Sequence, residues 1–167
     1  PYLMKDMDLA VNRIEMAIKN EENILVFGDY DVDGTTAVSL VSSYLKTIYP
    51  NIDTYIPDRC DEGYGISYKG IDYGEDNGIS LIIALDCGIK SIDHIDYANK
   101  KGIDFIICDH HRPGEFLPKA IAVLDPKRED CSYPYDELCG CGVGFKLIQA
   151  LGQNRNQTIE DFLPYLD

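Results

Sequence analysis

Five short strand-like segments punctuate the chain, and four of them, continuous apolar runs, lead at once, or through a single glycine, into aspartate. Ile24-Leu-Val-Phe27 passes through Gly28 to Asp29, and Leu81 to Leu85 ends on Asp86. Phe105 to Cys108 ends on Asp109, Ile121 to Leu124 on Asp125, and only Ile52 to Ile56 stops on Pro57. A continuous apolar run of this length has no polar face, the pattern of a β-strand covered on both sides. Between the runs, apolar residues recur at helical spacing. Met7, Val11, Ile14 and Ile18 mark a first helix, with Asp6 or Asp8 available as its cap. Further helices are predicted over 36–49, about 90–101, and from Gly142 to Leu151. Strands alternating with helices predict an α/β domain: a doubly wound, mainly parallel five-stranded sheet with helices on both faces. No repeat, low-complexity tract or linker interrupts the pattern, so residues 1–167 read as a single domain.

Sheets of this kind bind ligands in the crevice beyond the carboxyl ends of their strands. The residues after each strand therefore carry the functional information. Asp29, Asp31 and Asp33 follow the first strand, and Asp86, Asp109-His110-His111 and Asp125 follow later ones. Aspartate is a common cap and turn residue, a sufficient account of Asp125 before Pro126. It does not account for three acids within five residues facing further acids across one crevice. Crowded carboxylates need a cation, or their pKa values rise. Read as an extended segment, Asp31 and Asp33 turn to the same side and share one site. Oxygen donors with one imidazole nitrogen suit Mg²⁺ or Mn²⁺, and the nitrogen tilts the choice toward Mn²⁺. Two such ions can clamp phosphoryl oxygens and generate hydroxide for in-line attack. A metal-dependent phosphohydrolase is thus reachable from the residues alone.

Charge narrows the choice further. With 29 acidic and 15 basic residues the formal net charge is −14, so no broad basic surface is available for nucleic acid. Cations or further domains would have to supply that attraction. The six cysteines are too few for a disulfide scaffold and read as reduced thiols of a cytoplasmic protein. Cys139-Gly-Cys141 lacks a second pair, which argues against structural zinc. No apolar run is long enough for a membrane span, about 20 residues. Gly140-Cys-Gly-Val-Gly144 is a poor dinucleotide fingerprint, since Phe145 stands where its last glycine belongs. It reads as a tight turn opening a helix, with Gly142 placed to offer its amide to a phosphate. His94 is read as an ordinary helix residue.

Two families compete for these motifs. Asp31-Val-Asp-Gly-Thr35 matches the D-x-D-G-T of haloacid-dehalogenase-like phosphatases, whose first Asp is a nucleophile. In that family the nucleophile follows its strand directly; here Gly28-Asp-Tyr30 intervene and Asp109-His-His111 has no role. Taken together, Gly28-Asp-Tyr-Asp-Val-Asp-Gly34, Asp86-Cys-Gly88 and Asp109-His-His111 resemble the motifs of the DHH phosphoesterase superfamily. The likeness is nearest to its bacterial exonucleases acting on single-stranded DNA. Tyr55-Ile-Pro-Asp-Arg59, Glu62-Gly-Tyr-Gly-Ile66 and Tyr133-Pro-Tyr-Asp-Glu-Leu138 extend it across essentially the whole chain.

The resemblance implies hydrolysis of single-stranded DNA from the 5′ end, in DNA repair and recombination, with two Mn²⁺ or Mg²⁺ ions in a complete site. It implies that Asp31, Asp33, Asp86 and His110 are metal ligands, Asp86 bridging. Asp29 and Asp109 would be ligands or acids that orient them. His111 would face the scissile phosphate, with Asp109 beside it in the catalytic pair. Arg59 and the Gly63-Tyr64-Gly65 loop would contact the nucleic-acid backbone. The sequence departs from the superfamily at Phe27, where some members carry a metal-binding His. The expected last metal-binding Asp would lie just past Asp167, and the DHHA1-type and oligonucleotide-binding domains are not in this chain. The expectation is of a fragment opening on Pro1, folded but nearly inactive alone, that relies on downstream domains for DNA affinity. Other readings are a DHH phosphodiesterase acting on short RNA or cyclic dinucleotides, and a non-enzymatic receiver-like or assembly domain.

Overall fold

The computed structural model describes residues 1–166. Helix α1 (Met7–Lys19) precedes strand β1 (Asn23–Gly28), which is followed by α2 (Val32–Ile48) and β2 (Ile52–Tyr55). Then come α3 (Tyr68–Asp76), β3 (Ile79–Leu85), α4 (Ile92–Lys100), β4 (Asp104–Cys108) and β5 (Ala122–Leu124). Helix α5 (Gly140–Gln153) and a 3₁₀ helix (Ile159–Tyr165) close the described chain. The five strands form one sheet in the order β2-β1-β3-β4-β5, and every neighbouring pair is parallel. Chain order reverses between β1 and β3, so the switch point of the sheet lies where Asp29 and Asp86 emerge.

Alternation along the strands divides the core in two. Ile24, Val26, Leu81, Ile83, Leu85 and Ile106 pack with α1, α2 and α5. Leu25, Phe27, Ile82, Ala84, Phe105 and Ile107 pack on the other face, with Ile71 of α3 and Ile95 of α4. Burial on both faces is what the unbroken apolar runs required. Phe27 stacks on Tyr55 at 5.5 Å and 11°, so it is a core residue of the α3 face.

Several local expectations are corrected. Helix α2 begins at Val32, not residue 36, because Asp31 caps it: Asp31 Oδ1 accepts from Gly34 N at 2.9 Å. Asp31 and Asp33 are thus the cap and first turn of a helix, not an extended pair. Neither Asp6 nor Asp8 caps α1: Asp6 takes the N-cap position with φ 65° and makes no side-chain cap bond. Its carboxylate instead accepts from Arg128 Nη1 at 2.6 Å and Val123 N at 3.3 Å. Helix α3 has no counterpart in the sequence reading. Gly70 and Gly74 give it poor helix propensity, yet they let it lie close on the sheet. A Cβ on Gly70 would stand 2.6 Å from Phe27 Cε2 and 3.2 Å from Tyr55 Cε1. Gly70→Ala is therefore expected to cost about 1–3 kcal/mol by overpacking, despite alanine's better helix propensity. Urea unfolding of the two proteins checks this; equal midpoints would show that α3 can slide.

Candidate metal centre

Four segments deliver acids and imidazoles to the carboxyl edge of the sheet. The turn after β1 supplies Asp29, the start of α2 supplies Asp31 and Asp33, the end of β3 supplies Asp86, and the end of β4 supplies Asp109-His110-His111. Asp86 is 2% exposed and has φ 60°, a left-handed backbone that aspartate tolerates better than most residues. Its Oδ1 is buried without a hydrogen-bond partner, although His110 Nε2 stands 3.1 Å away. The same Nε2 is 3.6 Å from Asp33 Oδ2. Donor atoms of Asp86, His110 and His111 all fall within 4.8 Å of one another, a spacing that can hold a metal ion.

The electrostatics fit an unsatisfied anion cluster. Burial, then the charges of Asp33, Asp31 and Asp109, push the Asp86 carboxyl up to about 8. Burial likewise raises Asp29. Burial and the neighbouring His111 lower His110, so its imidazole is neutral at neutral pH, with a lone pair to give a cation. Burial also lifts Asp125 to about 6, and its Oδ1 accepts from Lys127 N at 2.8 Å, as a turn-forming aspartate should.

The remaining acids are already employed within the fold. Asp109 is 1% exposed and its oxygens accept from Ile89 N at 2.9 Å and His110 N at 2.7 Å. Asp109 Oδ1 also lies 2.7 Å from His111 Nδ1, which leaves His111 Nε2 facing the Tyr64 hydroxyl at 3.2 Å. This arrangement makes Asp109 a positioning group for His111. Asp29 Oδ1 accepts from Gly65 N at 3.2 Å, tying the Gly63-Tyr64-Gly65 loop to the crevice, while its Oδ2 is buried and unpaired. Gly63 and Gly65, at φ 81° and 80°, make that loop possible. Arg59 rests over the Tyr30 ring, 5.3 Å from its centroid, and Tyr30 meets Tyr64 edge-on at 6.4 Å. The residues expected to touch substrate thus form one cluster at the mouth, with Gly142 apart from them.

The start of α5 holds a different anion from the phosphate expected there. Asp33 Oδ2 accepts from Gly140 N and Oδ1 from Cys141 N, each at 2.7 Å, while Gly142 N turns to Cys139 Sγ at 3.3 Å. Sequence reasoning also passed over Gly140 and His94. A Cβ on Gly140 would lie 2.5 Å from Asp86 Cβ, so only glycine fits against the buried carboxylate. His94 is in α4 as expected, but its ring also lines a groove beside His111. Neither residue carries a local signal; both roles come from elements far apart in the chain.

Comparison with known proteins agrees with this geometry. Residues 23–166 match the DHH family, N-terminal domain. The chain is 44% identical over 151 residues to the single-stranded-DNA-specific exonuclease RecJ of Bacillus subtilis, covering 90% of this chain and 19% of that protein. It is 36% identical over 149 residues to RecJ of Escherichia coli, covering 89% and 26%. The chain therefore spans about a fifth to a quarter of the length of these curated relatives. A crystal structure of exonuclease RecJ bound to manganese superposes with a TM-score of 0.84 at 28% identity, over 93% of this chain and 39% of that one. The three motifs, the parallel sheet and these matches together show that the chain belongs to the DHH family.

Proposed function

We propose that this chain is the metal-binding catalytic domain of an exonuclease that hydrolyses single-stranded DNA from its 5′ end. The observation that carries the reading is Asp86 Oδ1, a buried oxygen with no hydrogen-bond partner, facing a neutral imidazole and two further carboxylates. A buried carboxylate in such company is protonated or else compensated by a cation. Asp31, Asp33, Asp86 and His110 would hold two Mn²⁺ or Mg²⁺ ions in the complete site. When bound, such ions polarise the phosphoryl oxygens and supply hydroxide near neutral pH. Asp109 holds the His111 ring through Nδ1, so that Nε2 is turned toward the scissile phosphate. Asp29 keeps Tyr64 over the crevice, and Arg59 offers a cation to the DNA backbone. The manganese-bound relative and the single-strand-specific names of the curated relatives support this substrate and metal. A domain of net charge −14 repels phosphates, which assigns most of the DNA affinity to other domains of the same protein. A role in DNA repair and recombination and a cytoplasmic location belong to the same proposal. Among the described residues no helix is long and apolar enough to cross a membrane.

The test is cleavage of 5′- and 3′-labelled single strands, short RNA and cyclic dinucleotides by the intact protein. Manganese-dependent release from the 5′ end is expected; preference for the small RNA or cyclic substrates would redirect the reading within the family. Mn²⁺ should stabilise the chain itself by about 2.7 kcal/mol at a hundredfold excess over Kd, and so raise its melting temperature. A melting temperature indifferent to Mn²⁺ and Mg²⁺ would contradict the metal site. The dehalogenase-like alternative is separated by chemistry. With Asp31 as a ligand and helix cap, no aspartyl-phosphate forms, and His110→Ala is as damaging as Asp31→Asn. A trapped phosphate on Asp31, found by mass spectrometry, would favour the alternative.

A further inference from the structure

Beside His111 a groove of about 320 Å³ runs between the Tyr64-Gly65 loop and the start of α4, and nothing above gives it an occupant. We propose that this groove is a nucleobase pocket, in which the base next to the scissile phosphate stacks on His94. The inference rests on the nuclease reading and names where that substrate places a base.

Size, lining and position support it. The volume is at the lower end of the roughly 300–1,000 Å³ typical of small-molecule sites, room for one nucleoside and not for a dinucleotide. Gly65, Cys87, Gly88 and Ile89 make its walls largely apolar, which suits a base better than a phosphate. Gly88 is at φ 110°, and a Cβ there would stand 2.9 Å from Ile66 Cδ1. His94 presents a half-buried ring to the groove and is backed by Tyr68 of α3, centroids 4.3 Å apart at 31°. Paired rings of this kind form a rigid platform, and unstacked bases of single strands are held on such aromatic faces. Burial keeps the His94 imidazole below its usual pKa, so the platform is uncharged at neutral pH. Lys90 and Ser91 add polar groups to the lining, and Lys90 is exposed where a sugar–phosphate backbone could meet it. The groove also shares His111 with the metal centre, so a base seated in it is attached to the phosphate that His111 faces.

The experiment is a titration of the full chain, in Mn²⁺, with deoxyadenosine 5′-monophosphate, 2-deoxyribose 5-phosphate and inorganic phosphate. Affinity is read by calorimetry and position by the amide resonances of Gly88 and Ser91. The nucleotide is expected to bind at least about fivefold more tightly than the baseless sugar phosphate, and it alone should shift those two resonances. His94→Ala should erase that margin while leaving phosphate affinity unchanged, and His94→Phe should keep it. Equal affinity for nucleotide and sugar phosphate, a margin that survives His94→Ala, or no binding at all would overturn the pocket. Nothing is cleaved in this titration. A base-dependent affinity in a protein whose intact form leaves single strands uncut would reject the nuclease reading alone.

Discussion

Asp86→Asn in the intact protein is expected to lower hydrolysis of single-stranded DNA by at least about 10³-fold, even with saturating Mn²⁺. The carboxylate stands at the centre of the cluster, within 3.1 Å of His110 Nε2, and its Oδ1 has no structural duty that asparagine could take over. The fold itself should survive, and pH provides the control. In the metal-free protein the Asp86 carboxyl is pushed from an ordinary value of 3.8 to about 8 by burial and by Asp33, Asp31 and Asp109. A proton bound more tightly in the folded than in the unfolded chain stabilises the fold. That contribution is complete below about pH 4 and is lost as the pH climbs through 8. Metal-free wild type should therefore lose stability across this window, and Asp86→Asn should show a flatter profile. Added Mn²⁺ should restore stability at high pH to the wild type only. Near-normal turnover by Asp86→Asn would remove Asp86 from the metal centre.

Gly140→Ala carries the second large effect, from a residue that offers no chemistry of its own. Its Cβ would lie 2.5 Å from Asp86 Oδ1 and 2.7 Å from Cγ, so Asp86 or the start of α5 must move. Moving α5 also disturbs the two amides that hold Asp33. The expected result is a stability loss of about 1–3 kcal/mol and, from misplacement of reacting groups, about a 10²-fold loss of activity. Gly142→Ala, two residues on, is the matched comparison. Its Cβ would press only on the Leu138 side chain, at 3.3 Å for Cδ2, which can rotate, and would stand in ordinary contact with Cys139 Sγ at 3.7 Å. Denaturant unfolding with and without Mn²⁺ distinguishes the two variants. A Gly140→Ala protein with full metal response would mean that the contact is loose.

These expectations show where the sequence was legible. Four of the five strands were plain because each is apolar on both sides and buried on both faces of the sheet; edge strand β2, with Asp53 and Thr54 exposed, was marked only by its bounds. The acids after them were equally plain, since a strand end is a fixed place in a doubly wound sheet. Helix α3 was hidden because Gly70 and Gly74 weaken its helical signal, and the close approach of Gly70 to Phe27 that calls for a glycine is set by the sheet rather than by local sequence. The true start of α2 was hidden because Asp31 and Asp33 are polar residues whose spacing fits a strand as well as a cap. The seating of Asp33 on α5 joins residues 107 and 108 positions apart, and no local rule reaches that far. The glycine turn was legible as a helix start, but its anion comes from the chain itself.

That seating has a consequence for the choice of ion. Each Asp33 oxygen is already spoken for by a backbone amide at 2.7 Å, so the carboxylate cannot swing or change from one-oxygen to two-oxygen contact without breaking a helix end. An ion bound here must accept the donor where it stands. Calcium, which gathers six to eight oxygens at about 2.3–2.6 Å through adaptable carboxylates, loses its usual freedom in such a site. Magnesium and manganese, with shorter bonds and stricter octahedral demands, lose little when a donor is fixed in advance. With Asp33 as the proposed ligand, stiffness in a single aspartate would act as a size filter, set when α2 and α5 dock and before any ion arrives.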